Sequence, residues 1–257
     1  PQQNLGPAKP DFLLTCSQPL PVMAIFCDGW RFHASPEINR LADDAQKRRD
    51  LRDSGHFVIS VTWSDLEKAD ADGKAQNPPA WFDPGAANQL KQVPAGGVTE
   101  RAIKVMAGGP IDIIIDWIQN PEPEAKEKLA NLTPLVLAPK SVQMMLSPTV
   151  PLATVAADLL EGKDAPVGDS PGWHWKYDTV SVVARHSGGE VDDIEVAVVI
   201  DDRSAALGPS RKEPWNLWIS LSNALALRER PTVITTLTAA GLEDHAPVEY
   251  TPSVPED

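Results

Sequence analysis

Asp11-Phe-Leu-Leu-Thr15, Ser17-Gln-Pro-Leu-Pro21 and Val22-Met-Ala-Ile-Phe-Cys27 read in order as a strand, a turn and a second strand, and Asp28-Gly29 breaks the unit. The short apolar runs flank turn chemistry, so the spacing predicts an antiparallel hairpin whose second strand is buried on both faces. In such a pair, positions whose numbers share a common sum face each other. A turn centred near Pro19-Leu20 therefore sets Asp11 opposite Asp28. On a strand spacing of ~5 Å the two carboxylates would crowd one another unless a cation joined them. Oxygen ligands of that kind suit Mg²⁺ or Mn²⁺.

Downstream, Ser35-Pro36-Glu37 has the form of a helix start, with a cap residue, Pro at the first helical position and an acid in the first turn. Ile38, Leu41, Ala42, Ala45 and Leu51 make its apolar stripe, and Lys47, Arg48, Arg49 and Arg52 make a basic strip beside it. Ser54-Gly55 ends the helix. Phe57 to Trp63 then alternates, with Phe57, Ile59, Val61 and Trp63 on one face, and Ser64-Asp-Leu-Glu67 has capping-box spacing for another helix.

Beyond a loop of Asp, Gly, Asn and Pro over 69–84, short helices are predicted at 98–106, 110–119, 122–131 and 151–161. From Trp173 the texture changes to strands, at Lys176–Arg185, Glu195–Ile200 and Thr232–Thr238. An amphipathic helix runs between the last two, from Glu213 to Arg230. The tail from His245 is expected to fray.

Composition narrows the classes. The 257 residues suffice for one large or two modest domains, and 42% hydrophobic with 23% charged residues argues for packed cores. Lys and Arg number 23 against 36 Asp and Glu, a formal charge of −13 that argues against holding nucleic acid by bulk electrostatics, though it leaves room for a small basic groove. Two cysteines, Cys16 and Cys27, are too few for a disulfide framework and read as free thiols. No uninterrupted apolar run approaches the ~20 residues needed to span a bilayer, which predicts a cytoplasmic protein without a membrane partner. Beginning at Pro1, the chain reads as a piece of a longer polypeptide. It has no Walker A loop, Gly-x-Gly-x-x-Gly or Gly-x-Ser-x-Gly motif.

His33 follows the second strand and titrates near neutral pH, so it can move a proton or reach a phosphate. Asp44 lies at the edge of the helix stripe, where it reads either as an acid paired to Lys47 or Arg48 or as a partner for the site. Trp173-His174-Trp175 reads as a sheet anchor or as a platform for unpaired bases.

Pro10-Asp11-Phe12, the run Ala24 to His33 (Ala-Ile-Phe-Cys-Asp-Gly-Trp-Arg-Phe-His), Asp44, Gly55 and Val58-Ile-Ser-Val-Thr-Trp63 together resemble the very-short-patch repair endonucleases, a branch of the PD-(D/E)xK nucleases. The resemblance covers about residues 9–66. It implies an α/β (α+β) fold with a PD-(D/E)xK restriction-endonuclease-like core over 1–84, a mixed sheet with flanking helices. A helical region over 85–165, a β-hairpin and helix region over 166–245 and a tail over 246–257 follow. The resemblance also implies a catalytic set of Asp11, Asp28, His33 and Asp44, and a Mg²⁺ or Mn²⁺ ion held by Asp11, the Cys27 carbonyl and Asp28. Lys47 and Arg48 are expected to contact DNA. Asp28 stands where the family has its first active-site histidine, and no Glu-x-Lys follows Asp11.

A second stretch, Val198-Val-Ile-Asp-Asp-Arg203 with Trp215 to Leu225, resembles the C-terminal ends of large bacterial DEAD/DEAH-box helicases, including those of phage defence. The expectation is a metal-dependent DNA endonuclease attached to helicase domains. The alternative is a catalytically silent nuclease fold that docks DNA or protein for the helicase.

Overall fold

The computed structural model describes residues 5, 8–15, 20–35, 37–72, 78–91, 100–188, 193–203, 206, 211–226, 228 and 231–241. Cys16, most of the 17–21 turn, Pro36, Gly189 and the expected tail lie outside the described residues. The described residues form a mixed α/β protein built on a three-stranded and a five-stranded sheet, with a two-stranded ladder beside them. Among the described residues no helix is long and apolar enough to cross a membrane.

The first sheet has the order β1 (Phe12–Leu14), β2 (Met23–Asp28), β5 (Phe57–Thr62). β1 pairs antiparallel with β2, as the hairpin reading requires, and β2 pairs parallel with β5. The parallel pair needs a crossover, which α1 (Trp30–His33), the two-residue strands β3 (Ala34–Ser35) and β4 (Ile38–Asn39) and helix α2 (Leu41–Asp53) supply. One face of the sheet carries Met23, Phe57, Ile59 and Val61 against Trp117, whose indole stacks on Phe57 at 4.5 Å. The other face packs Ala24 and Val58 on Leu51 of α2. β5 is buried along its whole length, so its alternating sequence marks two packed faces rather than one.

The expected helix start at Ser35 is corrected. The Ser35 hydroxyl accepts the Ile38 N–H, the Arg40 N–H bonds the His33 carbonyl, and the chain closes a small β3–β4 hairpin instead. Asn39 Oδ1 then takes the Leu41 N–H at 3.2 Å, and α2 begins there with Asp43 and Asp44 in its first turn. Ser, Asn and Asp compete for backbone groups in this way wherever a turn is available.

Helices α3 (Trp63–Asp72), α4 (Pro84–Leu90), α5 (Glu100–Ala107), α6 (Pro110–Gln119) and α7 (Pro123–Leu137) follow. Next comes the second sheet, order β10-β9-β8-β7-β6, from β6 (Val142–Leu146), β7 (Ser170–Tyr177), β8 (Val180–His186), β9 (Ile194–Ile200) and β10 (Thr232–Thr236). The single strand expected over 176–185 is two strands, because Asp178 turns the chain with φ +49° and β7 folds back on β8. Gly172 of β7 lies so close to β8 that a Cβ would stand 2.5 Å from the Ala184 carbonyl oxygen. Helix α8 (Leu152–Leu160) covers one face of this sheet. On the other face, Trp173, Val182, Val196 and Val198 share a core with Trp215 and Trp218 of helix α9 (Lys212–Ala224). β10 ends in the short helix α10 (Leu237–Gly241).

The two sheets are tied together. α9 packs on β5 as well as β9, and α2 packs on β10 as well as β5. Asn223 of α9 accepts the Ser60 N–H at 2.9 Å and donates to the Ser60 carbonyl at 2.8 Å, so its amide completes the outer edge of β5. Asn39 donates to the Asp202 carbonyl at 2.6 Å. Asp202 itself caps α10 through the Thr238 N–H, and Asp201 pairs with Arg203, so that acidic pair acts as a strand end. Trp173 is buried and His174 bonds Ser181, which makes Trp173-His174-Trp175 a sheet anchor.

Candidate functional site

The C-terminal end of β2 brings the first candidate residues together. Alternation along the strand points Ala24, Phe26 and Asp28 at α2, and the Asp28 carboxylate is 3% exposed. Gly29 then releases the chain into α1, whose last residue, His33, swings back over Asp28 with Nε2 3.7 Å from Oδ1. From the first turn of α2, Asp44 Oδ2 meets His33 Nδ1 at 2.6 Å. One imidazole is thus bracketed by two carboxylates.

Burial by itself would lower the His33 pKa. The Asp44 hydrogen bond, then the charges of Asp44 and Asp28, outweigh burial and the opposing Arg48, and the net shift is upward. Asp44 moves in the complementary direction: burial raises it, but the His33 bond and the charges of Arg48, His33 and Lys47 bring it below its ordinary value. The two shifts agree on an ion pair, imidazolium with carboxylate.

Asp28 is balanced from the far side. Arg48, only 5% exposed, donates from Nη2 to Asp28 Oδ2 at 2.6 Å, and its guanidinium lies 5.5 Å from the centre of the Phe26 ring. The expectation that Arg48 faces DNA is therefore corrected: its charge is consumed by a buried acid. Lys47 bonds Asp43 one turn back at 2.6 Å and is largely covered, so the pair forms no open basic strip. A sequence signal for Arg48 existed. It falls seven residues after Leu41 and three after Ala45, on the stripe that packs inward, and a basic side chain there needs a buried acid.

Asp11 does not face Asp28. The ladder pairs Phe12 with Ile25 and Leu14 with Met23, a register summing to 37 where the facing of the two acids needs 39. Asp11 instead lies just beyond the ladder, its N–H on the Ile25 carbonyl and its Oδ2 accepting the Cys27 N–H at 2.7 Å. It still belongs to the same neighbourhood. Partial burial first, then the charges of Asp11 and Asp28, push the Cys27 thiol up in pKa.

These positions test the divalent-ion expectation. Asp28 does not fit as a ligand, because its carboxylate is spent on Arg48. Of the Cys27 backbone, the group that meets Asp11 is an N–H, which binds no cation. Among the described residues no group of three or more His, Cys, Asp or Glu side chains is placed to hold a metal. Of the three ligands the resemblance implies, Asp11 is the one that still fits as a side-chain donor. One carboxylate suits a Mg²⁺ ion that is carried otherwise by waters and substrate phosphate oxygens, and does not suit a protein cage.

Compared with protein-family models, with curated proteins and with solved structures, the chain matches none of them.

Proposed function

We propose that the chain hydrolyses phosphodiester bonds of DNA, with a PD-(D/E)xK-like site at the C-terminal end of β2. The observation that supports this reading best is His33 held between Asp44 at 2.6 Å and Asp28 at 3.7 Å. Asp44 occupies Nδ1 and fixes the ring, which leaves Nε2 as the nitrogen that addresses a substrate. A histidine whose charged form is favoured by two acids is suited to the role of general acid. As water adds to phosphorus and the bond to the leaving oxygen breaks, Nε2 would hand its proton to that oxygen. Asp44 and Asp28 stabilise the imidazolium before the transfer, and Arg48 holds the Asp28 carboxylate in place through its 2.6 Å contact.

Asp11 is the residue that would hold Mg²⁺ or Mn²⁺, and a bound ion would polarise the phosphate and lower the pKa of a coordinated water. The helicase resemblance extends the proposal: the piece would act beside helicase domains in DNA processing or phage defence, which deliver a substrate that a chain of charge −13 does not attract.

The locked Asp28–Arg48 pair favours a second reading, a catalytically silent docking platform for DNA or for helicase domains. Cleavage of single- and double-stranded DNA and RNA, with Mg²⁺ or Mn²⁺, separates the two. Metal-dependent cutting lost in Asp11→Ala and in His33→Gln supports the nuclease. Cutting that survives both substitutions removes the assignment, and no cutting by the wild type favours the platform.

A further inference from the structure

We propose that Arg49 and Arg52, on the turn of α2 that follows Arg48, form a binding site for a phosphate-class oxyanion at the seam between the two sheets. Leu41, Ala45, Arg48 and Arg52 run along one stripe of α2, and this stripe packs against β5 and β10. Arg52 therefore continues a face whose other members are buried. Its Nε donates to the Arg48 carbonyl at 3.2 Å, and the Arg49 guanidinium reaches the Ile234 carbonyl of β10 at 3.4 Å. Both contacts are to neutral oxygens.

Among the described residues no carboxylate forms a hydrogen bond or ion pair with either guanidinium. Arg48 cannot help: its Nη2 is committed to Asp28, and its Nε is buried with no partner. Of the three guanidinium groups, Arg48 alone is bonded to a buried acid. Burial, then the charges of Arg48 and Arg49, pull Arg52 down to about 10, with Asp53 the one opposing influence. Arg49 and Arg52 are half-buried, neither bonds a carboxylate, and a forked guanidinium is shaped for bidentate contact with phosphate oxygens. An oxyanion seated between Arg49 and Arg52 supplies the missing charge.

The probe is inorganic phosphate, titrated at constant ionic strength against sodium chloride so that general screening is held fixed. Wild-type protein should gain about 3 °C in melting temperature at phosphate ten times Kd. Arg52→Leu should lose that gain, and in phosphate-free buffer it should melt no lower than wild type, because it removes a half-buried charge that bonds no carboxylate. Should Arg52→Leu not fold, calorimetric titration of phosphate into wild type and Arg49→Gln keeps the inference testable, with binding expected to weaken about tenfold (about 1.4 kcal/mol) in the variant. Competition by a 5′-phosphorylated oligonucleotide, but not by its unphosphorylated form, identifies a nucleic-acid end as the source; no displacement by either identifies a free oxyanion. Absence of a saturable phosphate effect in the wild type, or an equal effect in wild type and variants, overturns the site.

Discussion

His33 Nδ1 and Asp44 Oδ2 stand 2.6 Å apart although they are eleven positions apart in the chain with a small hairpin between them. The sign of each pKa shift makes this contact a pH-dependent contribution to stability. His33 is raised above its ordinary 6.5, so its share is complete below that pH and is lost as pH climbs through the raised value. Asp44 is lowered below 3.8, so its share is complete above that pH and is lost as pH falls through the lowered value. Asp44→Asn should therefore cost most between about pH 4 and 6.5, about 1–2 kcal/mol, and less on either side. Urea denaturation across pH, with the His33 titration followed by NMR, checks both the gap and a lower His33 pKa in the variant.

Arg48→Met leaves the Asp28 carboxylate buried without its cation. The expected loss is about 3–5 kcal/mol, and the double variant Asp28→Asn/Arg48→Met should recover most of it, since the stranded charge is gone. Additive losses in the double-mutant cycle would show that the two side chains do not act as a pair.

At the junction of the sheets, Asn223→Ala removes both hydrogen bonds to Ser60 and leaves two buried backbone groups unmet. A cost of about 2–4 kcal/mol is expected in chemical denaturation. Asn223→Asp can still accept the Ser60 N–H but cannot donate to the Ser60 carbonyl, and should also be destabilising.

Gly172→Ala forces a methyl group against the Ala184 carbonyl. Strand β7 must move away from β8, at an expected cost of about 1–3 kcal/mol and a lower melting temperature. An unchanged melting temperature would mean that the strands are less closely apposed than described.

Where a periodic apolar pattern met clear punctuation, the sequence reading and the structure agree: α6 spans Pro110–Gln119 as read, and the antiparallel pairing of β1 with β2 follows from two short runs about a Pro-containing turn. The register did not follow. A turn centre misplaced by one position changes the common sum by two, enough to separate Asp11 from Asp28. β6 escaped notice because Val142-Gln-Met-Met-Leu146 shows no alternation, and Met is at home in helices. The start of α2 was hidden by Ser35, whose hydroxyl serves a hairpin as readily as a helix cap. Of the site, His33 and Asp44 were nameable from the resemblance, but the neutralisation of Asp28 depends on Arg48 reaching inward across the α2–β2 gap. That pairing is a tertiary fact that spacing along the helix only hints at.

The Asn223 bracket on Ser60 also has a consequence for synthesis. On the ribosome, β5 is finished about 160 residues before the helix that closes its edge emerges. For that interval the strand offers open N–H and C=O groups to any passing extended segment, so nascent or C-terminally truncated chains should depend on chaperones more than the finished protein does.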